Sequence, residues 1–318
     1  DTAVPFDAHR CVRADVTVAF GCLKPCHVLD PGADMCGVVR LVTIGLESFE
    51  SAPQLYRVDD DDAAECFDDP TMYDNKYSRG VVGVLAGAQY PGAGLLTVRA
   101  ARWGGAGMVR QVGATFTEEL ATVVHHPKLT KKIDADAWVV GPGLGAAAPD
   151  LLEKLLATSA PLVIDADALN ALASDKDLRK ALRKRTGLAV LTPHGGEARR
   201  LAAGFDVQWS DQPAELARRL AQATRSVVYL KGSIGVIATP AGTVYATHRT
   251  TEHLATAGSG DVLAGFLGSL LAASPPQDAD ELARQTAAAI IVHSRAAELV
   301  ALDGGPVIAS DIEENLPA

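Results

Sequence analysis

Thr256-Ala257-Gly258-Ser259-Gly260-Asp261, running straight into the apolar stretch from Val262 to Ala273, decides how this chain reads. Gly258 and Gly260 let the backbone turn tightly, so that successive N–H groups converge on one point. The first N–H groups of a helix lack partners, and the helix dipole adds partial positive charge there, which makes a place for a phosphate. Asp261 sets a carboxylate beside that place. A pure anion receptor would avoid it, whereas an enzyme needing a base next to a phosphoryl group would use it. The alternative at this level is that Ser259 or Asp261 only caps the helix.

Outward from this helix, strands and helices alternate from Lys76 onward. Apolar runs predict strands over 81–86, 106–112, 137–140, 161–164, 188–191 and 226–230, and a hairpin joins 236–239 to 243–246. A long Ala-rich helix over 280–302 follows the break at Ser274-Pro275-Pro276. Between these elements lie Tyr90-Pro91-Gly92-Ala93-Gly94, Gly141-Pro142-Gly143-Leu144-Gly145, Asp165-Ala166-Asp167, Thr192-Pro193-His194 and Lys231-Gly232-Ser233. Strand, Gly-rich polar loop and helix in repetition predict an α/β fold, a largely parallel sheet with helices on both faces. In such sheets ligands bind beyond the carboxyl ends of the strands, and every one of these loops falls at that edge.

Composition narrows the class. Hydrophobic residues make up 48% of 318 and aromatics only 5%, which suits close helix–sheet packing. A net charge of −10 with no basic stripe argues against nucleic acid as a partner. No apolar run reaches about 18 residues, so no membrane span is expected, and no leader pattern opens the chain. The chain starts at Asp1 without Met, as a fragment of something longer would. Cys11, Cys22, Cys26, Cys36 and Cys66 are odd in number and crowd the first fifth, so reduced thiols and a cytoplasmic setting are expected. Cys22, Cys26, His27 and Cys36 have loose spacing for zinc, and ordinary thiols are the stronger reading.

Three regions follow. Residues 1–48 carry short strands at Val16–Phe20 and Val38–Ile44, too few to close a core. Residues 49–74, with Asp59 to Asp62 and Asp68-Asp69-Pro70, read as an acidic, solvated connector. Residues 75–318 hold the α/β domain. Within it, Lys231 can neutralise a phosphate, and His194 with Glu197 forms a polar turn that serves either a site or a helix start. Asp165 and Asp167 can bind a metal, although Asp167 can equally cap a helix. Gly141 to Gly145 is a weak dinucleotide fingerprint, and neither a P-loop nor a G-x-S-x-G elbow is present.

Taken in order, Lys76-Tyr77-Ser78-Arg79-Gly80, Pro91-Gly92-Ala93, Gly141 to Gly145, Asp165 to Asn170, Thr192-Pro193-His194 with Gly196-Glu197, Lys231-Gly232 and Leu254 to Gly265 resemble the NAD(P)H-hydrate dehydratase family, a branch of the ribokinase-like fold. The resemblance runs from about residue 75 to the end. Residues 14–46 resemble the tail of the NAD(P)H-hydrate epimerase domain fused upstream in many such proteins, and epimerase activity is not expected without the rest of that domain.

The resemblance implies repair of hydrated NADH and NADPH, driven by hydrolysis of ADP or ATP with Mg²⁺ bridging phosphates. No protein metal ligand is assigned. Asp261 would be the base, and Gly258, Ser259 and Gly260 the phosphoryl cradle. Lys231, Gly232, Ser233, Ile234, Gly235 and Gly260 would hold the adenine nucleotide. Ala93, Gly143, His194 and Asp261 would face the hydrated dinucleotide. The Lys76 to Gly80 stretch leans towards ADP, and a homo-oligomer such as a tetramer is expected. Three positions depart from the family pattern. Gly195 stands where Pro is usual and Gly235 where Thr is usual, while Thr250-Thr251-Glu252-His253 replaces a Thr-Gly-Asn-Pro run. A small-molecule kinase of the same fold and a non-catalytic nucleotide binder are the competing readings.

Overall fold

The computed structural model describes residues 11–46, 53, 55–116, 120–302 and 304–316. The leading segment forms strands β1 (Val16–Phe20) and β2 (Val38–Val42), paired in parallel, with short helices α1 (Pro25–Val28) and α2 (Gly32–Cys36) between them. The main sheet contains β3 (Leu55–Arg57), β4 (Val81–Ala86), β5 (Met108–Gly113), β6 (Val123–His126), β7 (Ala137–Val140), β8 (Leu162–Ile164), β9 (Ala189–Leu191), β10 (Val227–Leu230), β11 (Ile234–Ala238) and β12 (Val244–Arg249). Their order is β3-β12-β11-β10-β9-β8-β7-β4-β5-β6. β11 is antiparallel to both of its neighbours, and the other pairings are parallel. The sheet expected from the alternating pattern is therefore present, with two additions.

Both additions sit at the edges. β6 lies outside the predicted strands because Val123-Val124-His125-His126 is short and half polar, as an edge strand tolerates. β3 lies inside the stretch expected to be a connector. Leu55, Tyr56 and Arg57 pair with Val244, Tyr245 and Ala246, and Val58 is buried. The acidic run that follows is helix α3 (Asp60–Ala64), where Asp59 and Asp62 form a capping box and the first-turn acids face the positive end of the dipole. Residues 55–64 thus belong to the α/β body, while 49–52 and 54 lie outside the described residues.

Alternation along each strand divides the core. Leu85, Val140, Ile164 and Leu191 face α5 (Ala148–Leu156), α6 (Ala166–Ser174), α7 (Lys176–Lys184), α8 (Gly195–Gly204) and α9 (Pro213–Thr224). On the other face, Val82, Val84, Val139 and Val163 pack beneath α4 (Pro91–Ala100), α10 (Ser259–Ala273), α11 (Ala279–Leu302) and α12 (Ala309–Asn315). The opening stretch is α10, which is buried along nearly its whole length. Its approach is so close that a Cβ on Gly265 would stand 2.0 Å from the Thr97 carbonyl of α4. Among the described residues no helix is long and apolar enough to cross a membrane.

Gly265→Ala tests this packing by its sign. Helix propensity alone would make the variant more stable by about 1 kcal/mol, whereas the overlap with Thr97 should make it less stable by about 2 kcal/mol. Urea denaturation of the two proteins distinguishes the outcomes.

Candidate active site

The carboxyl ends of β4, β7, β8, β9, β10 and β12 lead into the loops singled out in the sequence, so the site residues meet at one edge. At its centre α10 begins at Gly258, which holds φ +90°, a conformation glycine adopts without strain. No side chain caps this helix. Ser259, expected as a possible cap, instead donates its hydroxyl to the Leu254 carbonyl at 2.9 Å. Ser259 N donates to the Thr256 carbonyl at 3.4 Å, and Asp261 sits one residue beyond Gly260.

Lys231, at the end of β10, reaches this helix start. A Cβ on Gly260 would lie 3.1 Å from Lys231 Nζ and 3.9 Å from Asp165 Oδ2. The ammonium pairs with the buried Asp165 carboxylate at 2.7 Å. Asp165 is therefore the lysine's partner, and Asp167 is engaged as well, accepting from Gly145 N at 2.7 Å instead of capping its own helix. Among the described residues no group of three or more His, Cys, Asp or Glu can hold a metal, and the cysteines are free thiols. The carboxylates present suit Mg²⁺ only in its usual manner, with one or two carboxylates completing a shell of phosphate oxygens and water.

Four acids against one ammonium set the electrostatics. Burial first, then the Asp165 charge, push Asp261 up to about 6, with Lys231 opposing and Asp167 and Glu197 adding. Glu197 is raised too, by burial and then by Asp165. His194 is exposed, and its Nδ1 accepts from Gly196 N at 3.0 Å while Glu197 accepts from His194 N at 2.9 Å. This capping box holds the turn in which Gly195 stands where Pro is usual.

The remaining predicted residues divide. Gly143 is buried, its carbonyl accepting from Tyr90 N at 3.3 Å, and Ala93 lies in the first turn of α4, so the two loops form one wall. Gly232 and Ser233 are exposed at the β10–β11 turn. Ile234 and Gly235 are buried inside β11. Gly235 N donates to Thr247 Oγ1 at 3.0 Å, so β12 places a hydroxyl beside the position where the family's threonine is missing. Thr250 donates to the Ser233 carbonyl, and Glu252 and His253 are exposed in a short 3-10 turn started by Thr251.

His293 was not singled out in the sequence. It is buried on α11, and burial, with the Lys231 charge adding, holds it down at about 3 while the Ser259 backbone pulls it upward. A single histidine in an Ala-rich helix carries no local signal, and only the docking of α11 under α10 brings it here.

The mostly parallel sheet with helices on both faces and polar loops gathered at its carboxyl edge is of the ribokinase-like class. The structure is similar to a ribokinase-like superfamily protein from Enterococcus faecalis, with a TM-score of 0.70 at 23% identity, covering 84% of this chain and 96% of that one. It is similar in fold to the ADP/ATP-dependent NAD(P)H-hydrate dehydratase of Bacillus subtilis, with a TM-score of 0.66 at 23% identity over 80% of this chain and 94% of that one. The model of the NAD(P)H-hydrate dehydratase family matches residues 82–318, and the chain belongs to that family. It is 43% identical over 304 residues to a bifunctional NAD(P)H-hydrate repair enzyme of Mycobacterium leprae, covering 93% of this chain and 60% of that protein. It is 37% identical over 215 residues to an ADP-dependent (S)-NAD(P)H-hydrate dehydratase of Neisseria meningitidis, covering 64% of this chain and 72% of that protein. The chain thus spans about three fifths of the length of its bifunctional relative.

The Asp261 shift fixes a pH dependence of stability. A carboxyl whose folded pKa of about 6 lies above the ordinary 3.8 holds its proton more tightly when folded, so the cost of its charge is fully present above pH 6 and disappears as pH falls towards 4. Asp261→Asn should therefore be more stable than the unaltered protein at pH 8, by about 2 kcal/mol. Denaturation midpoints across this range should show the gain shrinking towards pH 4.

Proposed function

We propose that this chain dehydrates the S form of hydrated NADH and NADPH back to the reduced cofactor, using ADP or ATP, as a repair lyase. The observation that carries the reading is a half-buried carboxylate, Asp261, in the first turn of a helix with no side-chain cap, with a lysine beside Gly260. Hydroxide is a poor leaving group and phosphate a good one, so the hydroxyl must be phosphorylated before it can depart. Asp261 takes the proton from the ring hydroxyl, whose oxygen attacks the terminal phosphorus as the bond to AMP or ADP breaks. Phosphate then leaves from the ring carbon, a neighbouring carbon loses its proton, and the double bond is restored.

Each part of the edge has a place in this scheme. The amides at Gly258 to Gly260 face the charge developing on the phosphoryl group in transfer. Lys231 and the exposed Gly232–Ser233 turn border the adenine nucleotide, and Ala93, Gly143 and His194 border the dinucleotide. Mg²⁺, when bound with the nucleotide, neutralises phosphate charge. ADP is the preferred phosphoryl donor in this reading, supported by the Lys76 to Gly80 stretch and by the relative named for ADP dependence.

The test is recovery of near-ultraviolet absorbance from hydrated NADH, run with ADP and ATP in parallel. Turnover should require one of the two nucleotides. A stable phosphorylated alcohol as product would point to a kinase instead, and nucleotide binding without turnover would point to a non-catalytic binder. Asp261→Asn should lower kcat by about a thousandfold or more while nucleotide affinity is retained. Because the base must be ionised, kcat/KM should fall as pH drops through about 6. Lys231→Met should move that break to higher pH by removing the charge that holds Asp261 down.

A further inference from the structure

Asp30, between α1 and α2, sends its carboxylate into the β10–β11 turn. Oδ2 accepts from Ser233 Oγ at 2.5 Å, and Oδ1 accepts from the Arg249 guanidinium at the end of β12. Asp34 stands 3.9 Å from the same guanidinium. The approach is anchored by packing. Val28 and Leu29 are buried in the same apolar cluster as Ile234 and Val236, with Leu23 and Ala33 packed against it. The other side of the turn is also held, because the Ser233 carbonyl accepts from Thr250 N at 2.8 Å and Thr250 Oγ1 at 3.1 Å.

The apex that follows Lys231 is exposed and contains Gly232, which offers no side chain to stiffen it. Its order therefore comes from these two grips, and the Ser233 hydroxyl proton is committed to Asp30. Arg249 balances the Asp30 charge, so the grip adds little repulsion towards phosphates.

We propose that Asp30 is a positioning residue for the adenine-nucleotide loop: the leading segment, outside the ribokinase-like domain, sets nucleotide affinity by fixing the Lys231–Ser233 turn. The inference rests on the assignment of that turn to the nucleotide under the proposed function. It places the determinant of nucleotide affinity in the stretch that resembles the tail of the upstream domain.

A double-mutant cycle with ADP as the probe tests it. Asp30→Ala, Ser233→Ala and the double variant are compared by calorimetric ADP binding and by steady-state kinetics with hydrated NADH. Each single variant should weaken ADP binding and raise its KM about fivefold, the effect of one charge-assisted hydrogen bond at a half-exposed site. For Asp30→Ala, kcat at saturating ADP and KM for hydrated NADH should stay within about twofold. The double variant should be no worse than Asp30→Ala, in which the Ser233 contact is already lost. Unchanged ADP affinity, a fall in kcat with KM for ADP intact, or additive losses would each overturn the proposal. If Asp30→Ala does not fold, Asp30→Asn, which keeps the shape but removes the charge that grips Ser233 and Arg249, decides it by the same ADP affinity. Failure of the unaltered protein to turn over hydrated NADH while it binds ADP would sink the proposed function but leave the Asp30 comparison readable in the binding data.

Discussion

The carboxyl edge depends on the ion pair between Lys231 and Asp165. It spans β10 and β8 with β9 between them, and Asp165 is almost wholly withdrawn from solvent. Asp167, Glu197 and Asp261 lie close enough to influence the same charge balance. A desolvated pair is not itself a large source of stability, but removing one partner leaves an uncompensated buried charge, which is costly. The single ammonium therefore limits how far the carboxylates raise one another. Asp261 stops near 6, where a carboxyl can be ionised at neutral pH and still be a stronger base than an ordinary aspartate.

Rigidity at this edge comes from stitching between loops. Asp167 holds Gly145 N, Tyr90 N reaches the Gly143 carbonyl, and Lys231 N donates to the Pro193 carbonyl. Each bond joins loops from different strands, so no loop moves alone. That suits a site whose donors must already point at charge that develops only during the reaction. The helix start contributes without a cap of its own because Ser259 spends its hydroxyl on Leu254. Beneath it, His293 is held in the neutral state by burial, so α11 adds no second positive charge under the helix start.

Much of this was legible in order along the chain. Alternating apolar runs and Gly-rich loops require a mostly parallel sheet, and such a sheet gathers the loops at one edge. The expected strands from 81 to 246 appear within a few residues of their predicted bounds. The edge strands β3 and β6 were not legible, because an edge position buries little and so demands little apolar pattern. The acidic run at Asp59 to Asp62 read as solvated for a similar reason, since a helix start favours the same charges as a linker. Ser259 beside two glycines looks like a cap locally, and only the fold brings the Leu254 carbonyl to its hydroxyl. Ile234 and Gly235 read locally as part of a loop motif, and only the fold shows that they are buried in β11.

The sequence by itself determined the fold class, the edge at which the strand-end loops gather and the placing of Asp261 in the first turn of α10. These follow from periodicity and from residues adjacent in the chain, where geometry is local. The tertiary structure decided which charges meet: Lys231 with Asp165, Ser233 with Asp30, Glu197 with the His194 turn beside Asp261. Except for that last turn these contacts join residues far apart in sequence. Their pairing, and the desolvation that shifts Asp261, exist only once the strands and the leading segment have packed together.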